Sequence, residues 1–328
     1  MQTLSSGVWR TRSRRSAVID SGERADAAPP EATRVTDAEV RAFEDRLEEA
    51  VRSGSAEGLD IVGYGEVSIA LKMATPRGDF VCKRLVPFAS KTKAEDAAAL
   101  IGLYIERLGA CGIDVVETEV SMLERPAGHV LYCIQPMLDP RTLGPDFMRG
   151  KGPDEAAPYM TRIFEHLRAS VSPTLAPDGQ LSNWVIDGEQ LRYLDVGTPF
   201  MRDESGTTLF DFRQQTQAIP QPIRAVVNRF MLKGILDNYH SPRGQALDFL
   251  GNLIKEGLGQ LLVPMIPVAN QVFEFSSPIS EGEVRAHYKS DAQSYALIQS
   301  VRRADRWLHQ HILHKPYPHL LPPRIQRF

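Results

Sequence analysis

The hydrophobic pattern of this 328-residue chain changes period along its length, and that change limits the folds open to it. Residues 59–137 contain one helical segment, at 91–108, and short apolar runs typical of strands at 59–67, 69–74, 80–85, 115–123 and 129–137. From Arg224 onward, apolar residues recur mostly at helical intervals. We therefore expect an α+β fold in which a small antiparallel-sheet lobe precedes a larger, mainly helical lobe.

Composition and charge narrow the class of protein. The chain has 38 Lys and Arg against 41 Asp and Glu, a formal net charge of −3, which gives no overall attraction to nucleic acid or to anionic membranes. Hydrophobic residues make up 42%, so a globally disordered chain is excluded. Cys82, Cys111 and Cys133 are too few for a disulfide framework or a four-ligand zinc site, and they favour a cytoplasmic location.

One apolar stretch, 257–273, is long enough to raise the question of a membrane span. Pro264, Pro267 and several polar residues interrupt it. We interpret this stretch as a buried loop or a broken helix, and we expect no membrane partner.

Changes in composition and periodicity along the sequence predict three regions. Residues 1–35 are rich in Ser, Arg, Ala and Pro without periodicity, and we expect a disordered tail there. Order begins at Thr36, which together with Glu39 has the spacing of a capping box at the start of a helix. We expect the sheet lobe to occupy 36–138 and the helical lobe to occupy 139–328.

Acidic and amide side chains flank a predicted hairpin in the middle of the chain. Asp178 is followed by Asn183 and, twelve residues after that, by Asp195. Two strand-like runs joined by Asp187-Gly188 place Asn183 and Asp195 at the same end of this hairpin. Their oxygens suit Mg²⁺, which takes one or two protein ligands and leaves the rest to water and phosphate. Asp178, in the preceding loop, has a reach suited to accepting a proton from a substrate hydroxyl.

This arrangement, Asp-x4-Asn, a strand hairpin and then Asp-x-Gly, resembles the catalytic and metal-binding loops of the protein-kinase-like superfamily. It is most similar to the loops of aminoglycoside phosphotransferases and related small-molecule kinases. The resemblance covers residues 59–200 in order, and it implies that Asp178 is the catalytic base while Asn183 and Asp195 hold Mg²⁺. Two ordinary surface turns, in which Asp and Asn are favoured anyway, are the alternative interpretation.

The resemblance extends to the predicted sheet. Gly63 and Gly65 lie between two strands, where a glycine-rich hairpin lets backbone N–H groups approach phosphate, although a tight turn needs glycine for steric reasons too. Lys83 resembles the strand lysine that binds the α- and β-phosphates of ATP, and a solvent-facing strand lysine is the alternative. Lys83 and Arg84 point to opposite faces of the strand, but alternation does not decide which face lines the cleft.

The resemblance also implies a helix glutamate paired with Lys83 and a hinge that bonds adenine. Glu95 and Glu106 are eleven residues apart, close to three turns, so they share a helix face. We favour Glu95 as the partner of Lys83. For either glutamate, a solvated carboxylate on the helix surface is the alternative. Gln135 and Met137 follow a predicted strand and fit the hinge, while Met137 fits a core position equally well.

The function that the resemblance implies is ATP- and Mg²⁺-dependent transfer of a phosphoryl group to a hydroxyl of a small-molecule acceptor. The sheet lobe would bind the nucleotide phosphates, and the helical lobe would hold the catalytic loop, the metal site and the acceptor. Ala176-Pro177 replace the His or Arg that usually precedes the catalytic Asp, and Val196 replaces an aromatic residue. These departures keep open a pseudokinase-type nucleotide-binding protein. The Arg-rich tail and the long helical lobe keep open a scaffold protein without turnover.

Overall fold

The computed structural model describes residues 8–10, 35–53, 57–64, 69–126, 128–215, 221, 223–226 and 232–312. The predicted tail, 1–35, lies mostly outside the described residues. Within it, Val8–Arg10 form a short strand that pairs with the edge of the main sheet.

An antiparallel sheet of six strands forms the N-terminal lobe, in the spatial order β1-β6-β7-β4-β3-β2. The strands are β1 (Val8–Arg10), β2 (Ile61–Tyr64), β3 (Ile69–Thr75), β4 (Gly78–Arg84), β6 (Glu119–Arg125) and β7 (Gly128–Pro136). β3 and β4 are joined at Pro76-Arg77, and Gly78 has a φ of +133°, which glycine adopts readily. The predicted hairpin is confirmed here.

One helix covers each face of this sheet. Helix α1 (Asp37–Ser53) begins at the predicted capping box, where the Thr36 N–H donates to Glu39 Oε2 at 2.7 Å and the Glu39 N–H donates to Thr36 Oγ1 at 3.3 Å. Its apolar face packs on one side of the sheet against Leu71, Cys82 and Ile134. Helix α2 (Lys91–Ala110) packs on the opposite side and joins the core of the second lobe.

The C-terminal lobe is mainly helical. Its helices are α3 (Gly144–Met148), α4 (Pro153–Ser170), α5 (Phe212–Gln215), α6 (Ile223–Val226), α7 (Leu232–Tyr239), α8 (Pro242–Lys255), α9 (Gly259–Phe273) and α10 (Glu281–His311). Short strands complete it: β5 (Asp114–Val115), β8 (Leu175–Ala176), β9 (Trp184–Asp187), β10 (Gln190–Tyr193) and β11 (Phe200–Met201). Helices α4, α8 and α9 bury a continuous core that includes Phe164, Phe249 and Met265.

Helix α9 corrects the expectation of a loop or broken helix over 257–273. It runs unbroken through Pro264 and Pro267. Proline removes single backbone hydrogen bonds from a helix, and the buried face of α9, with Leu261, Leu262 and Met265, supplies the packing that offsets this loss. No helix within the described residues is both long and apolar enough to span a bilayer.

The order of elements and the two cores confirm the predicted fold class. The chain forms an α+β fold with a small antiparallel-sheet lobe first and a larger, mainly helical lobe second.

Candidate functional site

The hairpin β9–β10 brings two predicted metal ligands to the same end, as the sequence predicts. Trp184 pairs with Tyr193 at the open end of the hairpin. The Leu194 N–H donates to the Asn183 carbonyl at 2.8 Å, so the ladder continues one step beyond the strands. Asn183 and Asp195 therefore lie side by side where the two strands open.

Lys83 reaches this end of the hairpin from the other lobe. Its Nζ donates to Asp195 Oδ1 at 2.7 Å. Burial lowers the pKa of Lys83, but the charge of Asp195 and this hydrogen bond outweigh burial, so the pKa is raised and the ammonium stays charged. Alternation along β4 does not decide which face of the strand lines the cleft. The bond to Asp195 shows that it is the face that carries Lys83.

Arg84, next along β4, points to the opposite face of the sheet. Its guanidinium binds Glu44 of α1 through two bonds, from Nε to Oε2 at 2.9 Å and from Nη2 to Oε1 at 2.6 Å. The Tyr132 hydroxyl donates to the same carboxylate, whose side chain is fully buried. This buried network ties α1 to the central strands β4 and β7 and so fixes the strand that carries Lys83.

Asp178 lies in the loop between β8 and a short 3-10 helix at Leu181–Asn183. Burial and, after it, the negative charges of Asp248 and Asp195 together raise the pKa of Asp178 to about 8. Asn183 Nδ2 donates to the Asp178 carbonyl at 3.1 Å. The candidate base thus lies close to the carboxylate of Asp195 and is bonded directly to the other candidate metal ligand.

Gln245 of α8 holds the backbone on both sides of Asp178. Its Oε1 accepts from the Gly179 N–H at 3.1 Å, and its Nε2 donates to the Pro177 carbonyl at 2.6 Å and to the Tyr239 carbonyl at 2.8 Å. The side chain is 1% exposed. A Cβ on Gly179 would lie 2.4 Å from Gln245 Oε1, so glycine is required for this close approach.

Two tyrosines hold the same loop from the sheet side. The Tyr193 hydroxyl accepts from the Asp178 N–H at 2.9 Å, and the Tyr104 hydroxyl donates to the Ala176 carbonyl at 2.9 Å. Burial raises the pKa of both phenols, so both keep their protons at neutral pH. The Asp178 loop is therefore fixed by α2, β10 and α8 together.

The predicted partners of Lys83 on α2 lie elsewhere. Glu95 forms an ion pair with Lys91 at 3.7 Å, and Glu106 is exposed. No ion pair joins Lys83 to either glutamate among the described residues. In this structure, Asp195 takes the place beside Lys83 that the sequence assigns to a helix glutamate.

The structure describes the predicted hinge residues but only part of the predicted glycine turn. Gly63 lies in β2 opposite Ala70, and Gly65 lies outside the described residues. Gln135 Nε2 donates to the Leu194 carbonyl at 2.8 Å, which links the end of β7 to the residue before Asp195. The Met137 N–H donates to the Asp79 carbonyl at 2.9 Å, and the side chain is half-buried.

The donor set at the hairpin end fits a hard divalent cation. Asp195 Oδ1 accepts from Lys83 and, at 3.3 Å, from the Gly197 N–H, so Oδ2 is the oxygen that would bind a cation. Asn183 uses its Nδ2 on the Asp178 carbonyl, so its Oδ1 is the atom that would bind a cation. A carboxylate and an amide oxygen are the ligand types that Mg²⁺ takes from proteins.

Sequence reasoning missed the α8 residues that hold the loop. Gln245 and Asn252 are seven residues apart, about two helical turns, and both are buried in an otherwise apolar helix face. Asn252 Oδ1 accepts from the Leu181 N–H at 3.0 Å. Two polar residues at this spacing within an apolar stripe are the signal that could have indicated their role.

The fold is of the α+β class, with a small antiparallel sheet before a larger helical lobe. Residues 42–306 match DUF6206, described as a family of unknown function, and the chain belongs to that family. Comparison with curated proteins gives no match. Among solved structures, the chain is similar to "WaaP in complex with acyl carrier protein", at 13% identity and a TM-score of 0.31, over 70% of this chain and 94% of that chain. A likeness this distant carries no argument about function.

Proposed function

We propose that this chain is a phosphotransferase that uses ATP and Mg²⁺ to phosphorylate a hydroxyl of a small-molecule acceptor, as aminoglycoside phosphotransferase-like kinases do. The observation that carries the proposal is the bond between Lys83 Nζ and Asp195 Oδ1, 2.7 Å, formed between the sheet lobe and the hairpin. It brings a fixed cation and a metal-binding carboxylate to one point, next to the loop of Asp178. Phosphoryl transfer depends mainly on this kind of charge placement.

Each residue has a role in the proposed reaction. Lys83 binds the α- and β-phosphates of ATP, and the glycine-rich segment predicted at Gly63 and Gly65 contributes backbone N–H groups to the phosphates. Asn183 and Asp195 would hold Mg²⁺, which would supply positive charge that offsets the charge of the phosphates. Gln135 and Met137 belong to the segment beside the adenine.

Asp178 orients the acceptor hydroxyl and takes its proton during transfer. Only the deprotonated carboxylate can accept a proton, and its raised pKa of about 8 keeps most of it protonated at neutral pH in the empty protein. A cation held by Asn183 and Asp195 would supply positive charge that offsets the negative field on Asp178 and would lower its pKa.

The same raised pKa favours a second candidate function, nucleotide binding without turnover. A protonated Asp178 can donate a hydrogen bond but cannot accept the hydroxyl proton. In that case Lys83, Asn183 and Asp195 retain the nucleotide, and no acceptor is phosphorylated. Glu95 has no role in either function while it is paired with Lys91.

A thermal-shift experiment tests the proposal. ATP with Mg²⁺ at about 100 Kd should stabilise the chain by about 2.7 kcal/mol, and ATP alone should stabilise it less. Asp195→Ala should remove the Mg²⁺-dependent part of the shift. Asp187→Asn is the matched control, since Asp187 is exposed at the far end of the same hairpin and should leave the shift unchanged.

Turnover separates the two candidate functions. Formation of ADP from ATP, with water or an added alcohol as acceptor, should be measurable in the wild type and lost in Asp178→Asn while nucleotide affinity stays the same. Nucleotide binding without any ADP formation at any pH would support the second candidate function. No stabilisation by ATP, with or without Mg²⁺, would contradict both.

A further inference from the structure

The loop that carries Asp178 has no cation of its own. Residues 175–183 read Leu-Ala-Pro-Asp-Gly-Gln-Leu-Ser-Asn, without Lys, Arg or His. A transferring phosphoryl group spreads negative charge over three oxygens, and catalysis needs positive groups around them. Lys83 supplies one from the sheet lobe, but it is bonded to Asp195. The acceptor side therefore lacks a positive charge within the loop sequence.

Helix α8 brings a cation to this side. Lys255 Nζ donates to Gln180 Oε1 at 2.9 Å, and Asn252 Nδ2 donates to the same oxygen at 3.2 Å. The Gln180 N–H in turn donates to Asp178 Oδ1 at 3.3 Å. Lys255 is thus separated from the candidate base by a single residue, although the two are 77 positions apart in the sequence.

The charge of Lys255 acts on Asp178. Only Gln180 separates the Lys255 ammonium from the Asp178 carboxylate, because Gln180 accepts from Lys255 through Oε1 and donates to Asp178 Oδ1 through its backbone N–H. The positive charge of Lys255 would also attract a phosphoryl group that is transferred next to Asp178, because Coulomb energy falls only as the inverse of distance. Lys255 also borders open space, since it lines a concave pocket between α8 and α10.

The pocket beside Lys255 is lined mainly by polar groups: Gln180, Asp248, Asn252, Lys255, His287 and Asp291. Lys255 is half-buried, and it donates to a neutral amide oxygen, a weaker partner than a phosphate oxygen. Within the described part of the chain Lys255 forms no ion pair, so a phosphate would compete only with the Gln180 amide for the ammonium.

We propose that Lys255 is a catalytic residue that contacts the phosphoryl group during transfer; this rests on the proposed function. In the step, the bond from the γ-phosphorus to its bridging oxygen breaks and ADP leaves with the electron pair. The acceptor oxygen forms the new bond to phosphorus, and its proton passes to Asp178. Lys255 keeps its proton and stabilises the charge on the phosphoryl oxygens throughout.

The test measures binding of ADP and Mg²⁺ with and without aluminium fluoride, which stands in for the phosphoryl group in flight. In the wild type, aluminium fluoride should tighten ADP binding. In Lys255→Met, the ADP affinity should stay within about two-fold of the wild type, while the tightening falls by about ten-fold or more. Lys255→Arg should restore part of it, since it restores the charge. Lys289→Met, an exposed lysine of α10, is the control and should match the wild type.

Gln180→Ala separates direct contact from an effect through Gln180. This variant keeps the ammonium and removes its partner, so most of the tightening should persist. Equal tightening in Lys255→Met and the wild type, or an equal loss in Gln180→Ala and Lys255→Met, would overturn the proposal. A wild type that does not bind ADP and Mg²⁺ at all would instead overturn the proposed function on which it rests. Melting temperatures confirm that each variant is folded.

Discussion

Lys83 and Asp195 lie 112 positions apart in the chain, and Nζ of the first bonds Oδ1 of the second at 2.7 Å. The bond joins strand β4 of the sheet lobe to the hairpin of the helical lobe. The backbone at Gly197 packs against the Lys83 side chain, since a Cβ at this position would lie 3.4 Å from Cδ of Lys83. The candidate site is therefore assembled by the meeting of the lobes, and neither lobe contains it alone.

Lys83→Met should abolish the function without unfolding the chain. It removes the cation for the α- and β-phosphates, and we expect phosphate release from ATP to fall by about 100-fold or more. Lys72→Met is the matched control. Lys72 lies on the neighbouring strand β3 and is ion-paired with Asp79 at 2.6 Å, outside the candidate site. Equal phosphate release by the two variants would contradict the role of Lys83.

Asp178→Asn should change stability in a pH-dependent way. The folded pKa of Asp178 is raised from 3.8 to about 8, so its contribution to stability is fully present below the unfolded value and is lost as the pH rises through the folded one. Asparagine stays neutral at every pH. We expect equal melting temperatures of variant and wild type near pH 4, and a higher melting temperature of the variant above pH 8.

The control for this pH series is Asp187→Asn, which changes an exposed carboxyl of the same hairpin. Its melting temperature should follow the wild type across the whole range. A difference between Asp178→Asn and the wild type that stays constant from pH 4 to pH 9 would show that the carboxyl of Asp178 does not titrate near pH 8.

Gln245→Leu should loosen the loop that carries Asp178. It leaves the Gly179 N–H and the carbonyls of Pro177 and Tyr239 without their partner, and we expect a loss of about 3 kcal/mol in the free energy of unfolding. Urea denaturation measures this loss. Gln299→Leu is the control, because Gln299 is also buried but its amide has no hydrogen-bond partner among the described residues. That variant should be neutral or stabilising; the same loss in both would argue against a specific role for Gln245.

Glu44→Ala should destabilise the sheet lobe. Removing the carboxylate leaves Arg84 and the Tyr132 hydroxyl without their partner in the core, which costs about 3 kcal/mol for a buried ion pair. Glu49→Ala removes an exposed pair with Arg52 on the same helix and should cost less than about 1 kcal/mol. Chemical denaturation of both variants compares these losses. Similar losses would mean that the buried network does not hold α1 on the sheet.

Local patterns in the sequence predict much of this fold. The capping box of Thr36, the β3–β4 hairpin and the common end of Asn183 and Asp195 depend on spacing over a few residues, and the structure confirms them. Helix α9 was predicted wrongly, because two prolines suggest a break that burial of its apolar face overrides.

Contacts between distant segments could not be predicted in this way. Alternation shows that Lys83 and Arg84 diverge, but only the positions of α1 and the hairpin decide that Lys83 faces the cleft. Helical spacing offers Glu95 and Glu106 as partners of Lys83, whereas the bond to Asp195 depends on how the lobes meet. Gln245 and Lys255 gain their roles from where α8 lies against the loop.

Calorimetric titration of ATP, with and without Mg²⁺, into the wild type, Asp195→Asn and Asp187→Asn tests the central claim most directly. We expect one site per chain in the wild type and in Asp187→Asn, with tighter binding when Mg²⁺ is present. Asp195→Asn should lose the Mg²⁺-dependent gain in affinity. Absence of ATP binding by the wild type, or the same Mg²⁺-dependent gain in all three proteins, would contradict the account.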